Sequence, residues 1–211
     1  MANRLLYVCL TSYPARIGNV PRVLEAIRKQ TIKPQEIILT LAEQDNDLQE
    51  VVRNYADCRV HFVEEDTKVW KKFLPASETL PDNALIVTID DDRLLLPTMI
   101  EEMLEVHRAF PDAPISGNHY HFRGLKCHCG GASMVQKKHF VGWQDYYYLA
   151  KQVPSDDMFY TMLAYKNGFR YKMTKTDFEK DSPIYNEVQP YSVRGMVAKS
   201  YEQIARAFNW K

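Results

Sequence analysis

The sequence predicts an α/β protein with a mainly parallel central sheet flanked by helices, and three observations carry that expectation. Short apolar runs at 5–10, 36–41 and 84–89 read as strands, and 84–89, which is β-branched and lacks polar alternation, reads as one buried on both faces. Stretches with apolar residues at helical spacing separate them, the pattern of right-handed crossover units. Polar and charged residues gather just after the runs end, and ligands of such sheets bind beyond the carboxyl ends of the strands.

Residues 5–10 form the first strand, and the loop 11–18 leads into a helix starting near Asn19. Asn19 suits the cap, Pro21 is tolerated in the first turn, and Val20, Val23, Leu24 and Ile27 share a face. Strand 36–41 precedes a shorter helix with Leu48, Val51, Val52 and Tyr55 as its stripe, and strand 59–63 follows. A polar loop, 64–72, enters a helix over 73–80. Strand 84–89 comes next, then a helix over 97–110 with Met99, Met103, Val106 and Phe110 as its apolar positions. After residue 112 the rhythm changes to extended segments at 115–122 and 132–135 around Gly130 and Gly131. A helix over 155–167 with Ser155 as N-cap stops at Gly168; a short strand at 171–174 and a terminal helix within 191–210 complete the reading. The expectation is one domain over 1–211, with a nucleotide-binding half to about 112 and a second, acceptor-binding half.

Composition narrows the function classes. Apolar residues are 45% and charged residues 26%, as in an ordinary globular domain. A formal net charge of zero and a pI near 7.0 argue against a nucleic-acid binder. No apolar run is long enough to span a bilayer, the N-terminus reads as a strand instead of a signal peptide, and the segment near 200–208 is only modestly amphipathic. Four cysteines at irregular spacing do not make a disulfide scaffold; Cys9 and Cys58 sit in apolar patterns as buried thiols. A cytoplasmic protein is the simplest expectation, with peripheral membrane contact its only link to a bilayer.

The most informative feature is Asp90, Asp91 and Asp92, directly after the strand 84–89 and directly before Arg93. Burying unpaired carboxylates costs several kcal/mol, so something positive must compensate them. Strand alternation would put Asp90 and Asp92 on one face, two hard oxygen ligands suited to Mg²⁺ or Mn²⁺ with water and substrate phosphates completing the shell. The plainer alternative is an acidic turn before the helix near Pro97, with Arg93 as counterion. Asp156 and Asp157 form a second pair. A helix dipole stabilises acids there by about 0.3–1 kcal/mol, which is a sufficient structural reason, yet a carboxylate so held can also act as a general base. Lys68, Lys71 and Lys72 flank Trp70 and suit a diphosphate or a solvated helix start; Arg16 suits a phosphate or a base edge. The glycine pair allows close backbone approach or marks a bulge. Cys127-His128-Cys129 lacks the paired spacing of a structural zinc site. His119 and His121 share strand parity, and Tyr146, Tyr147 and Tyr148 near Trp143 suit either sugar stacking or packing.

Five motifs in order carry a family resemblance: Thr-Ser-Tyr-Pro-x-Arg at 11–16, Lys71-Lys72 before a helix, Ile-Asp-Asp-Asp at 89–92, Gly-Gly leading into a hydrophobic strand at 130–135, and Asp-Asp-x-Phe at 156–159. Over roughly residues 5–175 the chain resembles inverting, nucleotide-sugar-dependent glycosyltransferases with the GT-A fold, of the glycosyltransferase family 2 type, and a bacterial branch of them. The resemblance implies that the loop of Thr11, Tyr13 and Arg16 contacts the nucleoside, and that Glu43 or Asp45 binds base or ribose. It puts Asp90 and Asp91 at the donor, Asp90 near the ribose, with Asp92 on a divalent metal (Mn²⁺ or Mg²⁺) that Asp90 helps to hold. Lys71 or Lys72 would meet phosphate or donor, and Asp157 would be the general base with Asp156 orienting it or the acceptor. Many relatives add a C-terminal histidine to the metal; this chain has none after His139, leaving Asn186, Asp181 or water. The implied activity is transfer from a nucleotide diphosphate sugar, UDP-sugar foremost, to a glycan-type hydroxyl in bacterial surface polysaccharide assembly. A nucleotidyltransferase would call for a Gly-rich basic loop after the first strand, which 11–18 lacks, and a degenerate binding domain would not need both acidic clusters.

Overall fold

The computed structural model describes residues 5–128, 131–153, 155–175 and 194–210. Its strands are β1 (Leu6–Thr11), β2 (Glu36–Ala42), β3 (Cys58–Val63), β4 (Leu85–Ile89), β5 (Ile115–Ser116), β6 (His119–Phe122), β7 (Leu125–His128), β8 (Ala132–Val135) and β9 (Lys172–Met173). Its α-helices are α1 (Val20–Arg28), α2 (Leu74–Ser77), α3 (Met99–Ala109), α4 (Asp157–Lys166) and α5 (Arg194–Ala207). Seven strands form one sheet in the order β3-β2-β1-β4-β8-β5-β9, parallel except for β8, which runs antiparallel to β4 and β5. This is the mainly parallel, helix-flanked α/β sheet that the apolar runs predict.

Strand parity builds two cores. Leu6, Val8 and Leu10 of β1 pack with α1 and α3, whereas Tyr7 and Cys9 face α2, α4 and α5. Val8 lies opposite Ile37 of β2 and Val87 of β4, so the middle of the sheet is apolar on both sides, as a doubly covered parallel sheet requires.

Several local expectations change. The stretch Glu43–Val52 winds as 3₁₀ helix interrupted at Asp45 (φ −108°, ψ 28°), since Asp45, Asn46 and Asp47 in succession have side chains that compete for the backbone and favour turns over a regular α-helix. The helix expected over 73–80 contracts to α2, preceded by a 3₁₀ turn Lys68–Lys72 that Lys68 enters at φ +55°. Asn19 stands at the N-cap of α1 without a side-chain cap bond. Asp156, not Ser155, caps α4, again without a side-chain bond to the helix, because its carboxylate faces Lys72. The extended segment at 115–122 breaks after β5, and β6 instead pairs with β7 in a hairpin. Arg123 (φ +45°) and Gly124 (φ +78°) make its two-residue turn, where two positive φ values match the twist of the strands. Arg123 is held by Glu202 of α5 at 2.7 Å.

Candidate functional site

β4 ends at Ile89, so the aspartate triplet occupies a turn and strand alternation does not govern it. Asp90 and Asp92 therefore meet different partners. The Asp90 backbone N–H donates to the Gly131 carbonyl at 3.0 Å, and its Oδ2 accepts from the Gly131 N–H at 2.9 Å. Gly131 sits at φ +97°, which only glycine adopts readily; its close approach serves Asp90. Gly130 lies outside the described residues. Asp90 Oδ1 receives Lys72 Nζ at 2.5 Å. Asp91 and Asp92 instead share Arg16, with Nη1 at 3.3 Å from Asp91 and Nη2 paired to Asp92. Ser12 donates to Asp91 at 2.6 Å, and Arg93 stands 3.7 Å from Asp92.

Lys72 joins the two acidic clusters. Its ammonium lies 2.5 Å from Asp90 and 3.2 Å from Asp156. The rings that bring it there are adjacent in sequence to the charges: Trp70 packs on Phe159 with centroids 4.2 Å apart, and the Trp70 indole donates to the Val153 carbonyl. Lys71, beside it, is equally buried and turns to Asp66 at 2.6 Å, away from the triplet. Both lysines are thus committed to acids inside the protein, and neither forms a solvated helix start.

Five carboxylates (Asp90, Asp91, Asp92, Asp156 and Asp157) gather here around the cations Arg16, Lys72 and Arg93, with His128 3.8 Å from Asp157. Burial dominates their titration. Burial pushes Asp91 up to about 6 against the pull of Arg16 and Ser12. Burial, and next Asp90, raise Asp92 despite Arg16 and Arg93. Burial also lifts Asp156 to about 6, opposed by Lys72 and reinforced by Asp157 and Asp90. In Asp90 burial is outweighed by Lys72 and the carboxyl is held below the usual range. Burial acts against the charge of Lys72 too, but Asp156, Asp90 and Asp157 overcome it and hold its pKa above the ordinary value. Asp157 is the more open of its pair, 17% exposed at the side chain against 7% for Asp156.

The remaining residues singled out from sequence divide clearly. Tyr13 joins the cluster: burial, opposed by Arg16, raises its pKa, and its hydroxyl is buried without a hydrogen-bond partner. Thr11 donates to the Thr40 carbonyl at 2.7 Å and so ties β1 to β2. Of the pair after β2, Glu43 is exposed, while Asp45 is buried and, like Asp66, coupled to Lys71. His119 and His121 are exposed. Tyr146 stacks on Phe208 within the second half, Tyr147 bonds Thr67 of the first, and Tyr148 is exposed. Cys129, Asp181 and Asn186 lie outside the described residues. Sequence reasoning missed Ser12, although it sits inside the first motif, and the link of His128 to Asp157, since cysteines flanking His128 directed attention to zinc.

Among the described residues no group of three or more His, Cys, Asp or Glu side chains is placed to hold a metal ion. The donor set is still of the kind that binds a hard divalent cation through one or two carboxylates with water and phosphates: hard carboxylate oxygens, with Asp90 still partly open at 27% side-chain exposure. Asp92 and Asp90 are the candidates to hold it.

No family model and no curated protein sequence matches the chain. Solved structures do. The mannosyltransferase PcManGT from Pyrobaculum calidifontis, in complex with GDP-Man and Mn²⁺, superposes with a TM-score of 0.61 at 13% identity over 84% of this chain. TarS residues 1–349 from S. aureus gives 0.56 at 15% identity over 80% of this chain. The fold is of the GT-A type. A third neighbour, 4-diphosphocytidyl-2C-methyl-D-erythritol synthase from Anaerococcus prevotii, gives 0.54 at 10% identity and covers 96% of this chain and 99% of its own. The chain spans 56% of the mannosyltransferase and 57% of the TarS structure. No helix among the described residues is long and apolar enough to cross a membrane.

Proposed function

We propose that the protein is a metal-dependent, inverting glycosyltransferase that moves a sugar from a nucleotide diphosphate donor, foremost a UDP-sugar, to a hydroxyl of a glycan-type acceptor. The observation that carries the reading is the meeting of both acidic clusters on Lys72, with Asp157 as the partly open member. Tyr13, Arg16 and Asp45 line the donor side, the first half of the chain (about 1–112) binding the nucleotide and the second (about 113–211) the acceptor. Asp92 and Asp90 would hold a divalent ion, Mn²⁺ or Mg²⁺, and such an ion would supply positive charge to offset a leaving diphosphate. Asp157 accepts the acceptor's hydroxyl proton as the new oxygen–carbon bond forms and the bond to phosphate breaks, its electron pair leaving with the phosphate. One carboxylate suffices for this single displacement, in contrast to hydrolysis. Asp156, locked to Lys72, holds the start of α4 in place. The reading extends to surface-polysaccharide assembly, which rests on the sequence resemblance.

Calorimetric titration of UDP, GDP, CDP and dTDP, with and without Mn²⁺, tests it. One nucleotide binds tightly only with Mn²⁺, and Asp92→Ala abolishes that binding while the melting transition persists. In Asp157→Asn the donor still binds and transfer falls by about 10²–10⁴, the contribution of a general base. Transfer at the wild-type rate would reassign the base. The nucleotidyltransferase among the fold neighbours sets the competing outcome: release of pyrophosphate from a nucleoside triphosphate in place of a nucleoside diphosphate from a sugar donor.

A further inference from the structure

We propose that His128 is a positioning residue for Asp157, fixing one carboxylate oxygen so that the other takes the proton; this rests on the glycosyltransferase reading above. His128 ends β7, and its backbone N–H donates to Thr161 Oγ1 at 3.1 Å, one helical turn beyond Asp157. The strand end and the helix start are therefore tied together. Its imidazole is buried, stacks on Tyr171 with centroids 4.8 Å apart and planes 17° from parallel, and lies 6.0 Å from the Tyr160 ring. Flanked by two aromatic rings, the imidazole has little freedom to turn, and its Nε2 lies 3.8 Å from Asp157 Oδ1, ion-pair range that a shift of under about 1 Å closes to a hydrogen bond.

The other buried histidine shows what a purely architectural role looks like. His139 Nδ1 accepts from the Gln136 N–H and its Nε2 meets the Asp112 carbonyl, both at 3.1 Å, and burial lowers its pKa to about 4. His128 differs in presenting a ring nitrogen to the one acid of the pair that solvent reaches. A nucleophile or base oriented by a second group that is itself clamped is the general logic of catalytic dyads. When the acceptor O–H bond breaks, its proton goes to Asp157 and is held by the pair, with no further reagent. Among the described residues, the titratable groups near His128 include Asp157 and Tyr160 of α4, Asp156 at its N-cap and Tyr171 from the segment before β9.

Steady-state transfer is measured from pH 5 to 9 for the wild type, His128→Ala and His128→Gln. His128→Ala lowers kcat by ~10–100-fold, less than loss of the base itself, with the donor KM unchanged. His128→Gln retains an N–H donor and restores much of kcat, but the acid limb of its pH profile moves. Should His128→Ala fail to fold, the Gln variant decides alone: an unmoved acid limb overturns the proposal. So does wild-type kcat in a folded His128→Ala. Independently of turnover, ¹⁵N-histidine spectra place the His128 ring beside the acid if its resonances shift in Asp157→Asn; resonances that stay put refute the contact. A wild type that binds donors yet transfers nothing overturns the functional reading instead, and is distinguished from failure of His128 alone by its own zero rate.

Discussion

Replacing Lys72 by Met removes the one charge that, among the described residues, both acidic clusters share, and the structure indicates the size and pH dependence of the damage. The ammonium is buried 2.5 Å from Asp90 and 3.2 Å from Asp156. Methionine fills much of the same volume, so the loss is electrostatic. Removing one partner of a buried pair leaves the other uncompensated and costs about 3–5 kcal/mol. At ~2–4 °C per kcal/mol for a chain of this size, the melting temperature at pH 8 falls by roughly 6–20 °C. In the wild type Lys72 holds Asp90 below the ordinary carboxylate range, so the stability Asp90 contributes is present above its unfolded pKa and is lost as pH falls through the folded one. Without Lys72, burial dominates and raises Asp90, as it already raises Asp156 to about 6. The folded variant then binds protons more tightly than the unfolded chain, and its stability declines as pH rises from about 4 toward 8. Thermal melts at pH 5.5 and pH 8 therefore show a deficit that is larger at pH 8. The double variant Lys72→Met with Asp156→Asn recovers part of it by removing one stranded charge. A deficit that is the same at both pH values, or less than about 1 kcal/mol, would show that Lys72 is not the electrostatic keystone described here.

Two further substitutions probe the frame around that lysine. Phe159→Ala removes the ring that packs on Trp70 and costs about 3–5 kcal/mol in chemical denaturation, with site geometry suffering because Trp70 directs Lys72; a loss under 1 kcal/mol would refute the docking role. Gly131→Ala forces a side chain to φ +97° and costs about 1–3 kcal/mol; since this peptide grips Asp90, nucleotide affinity in Mn²⁺ falls more than stability alone explains, and unchanged affinity would separate Gly131 from the site.

Much of the frame is legible along the chain because it is set by short-range pattern. The apolar runs of β1, β2 and β4 are required by a sheet covered on both faces, and Ala132–Val135 appears at the expected residues. Val20, Val23, Leu24 and Ile27 are all buried, as a 3.6-residue repeat dictates. The hairpin of β6 and β7 is less legible: its two-residue turn is Arg-Gly, not Asn-Gly, and the glycine pair nearby drew the reading toward a bulge.

The sequence by itself determined the sheet, the helices that cover it and the acidic, basic and aromatic residues gathered near the strand ends, because hydrophobic periodicity and the clustering of charge are local properties. Only the tertiary structure decided which charges meet. Lys71 and Lys72 are neighbours, yet one faces Asp66 and the other bridges Asp90 to Asp156; Asp90 and Asp92 stand two residues apart, yet one is held by Lys72 and the other by Arg16. Those choices follow from the turn after Ile89 and from the docking of Trp70 on Phe159, contacts between segments remote in sequence. An ionic partner is selected by distance and burial in three dimensions, and neither is written in the spacing of residues along one chain.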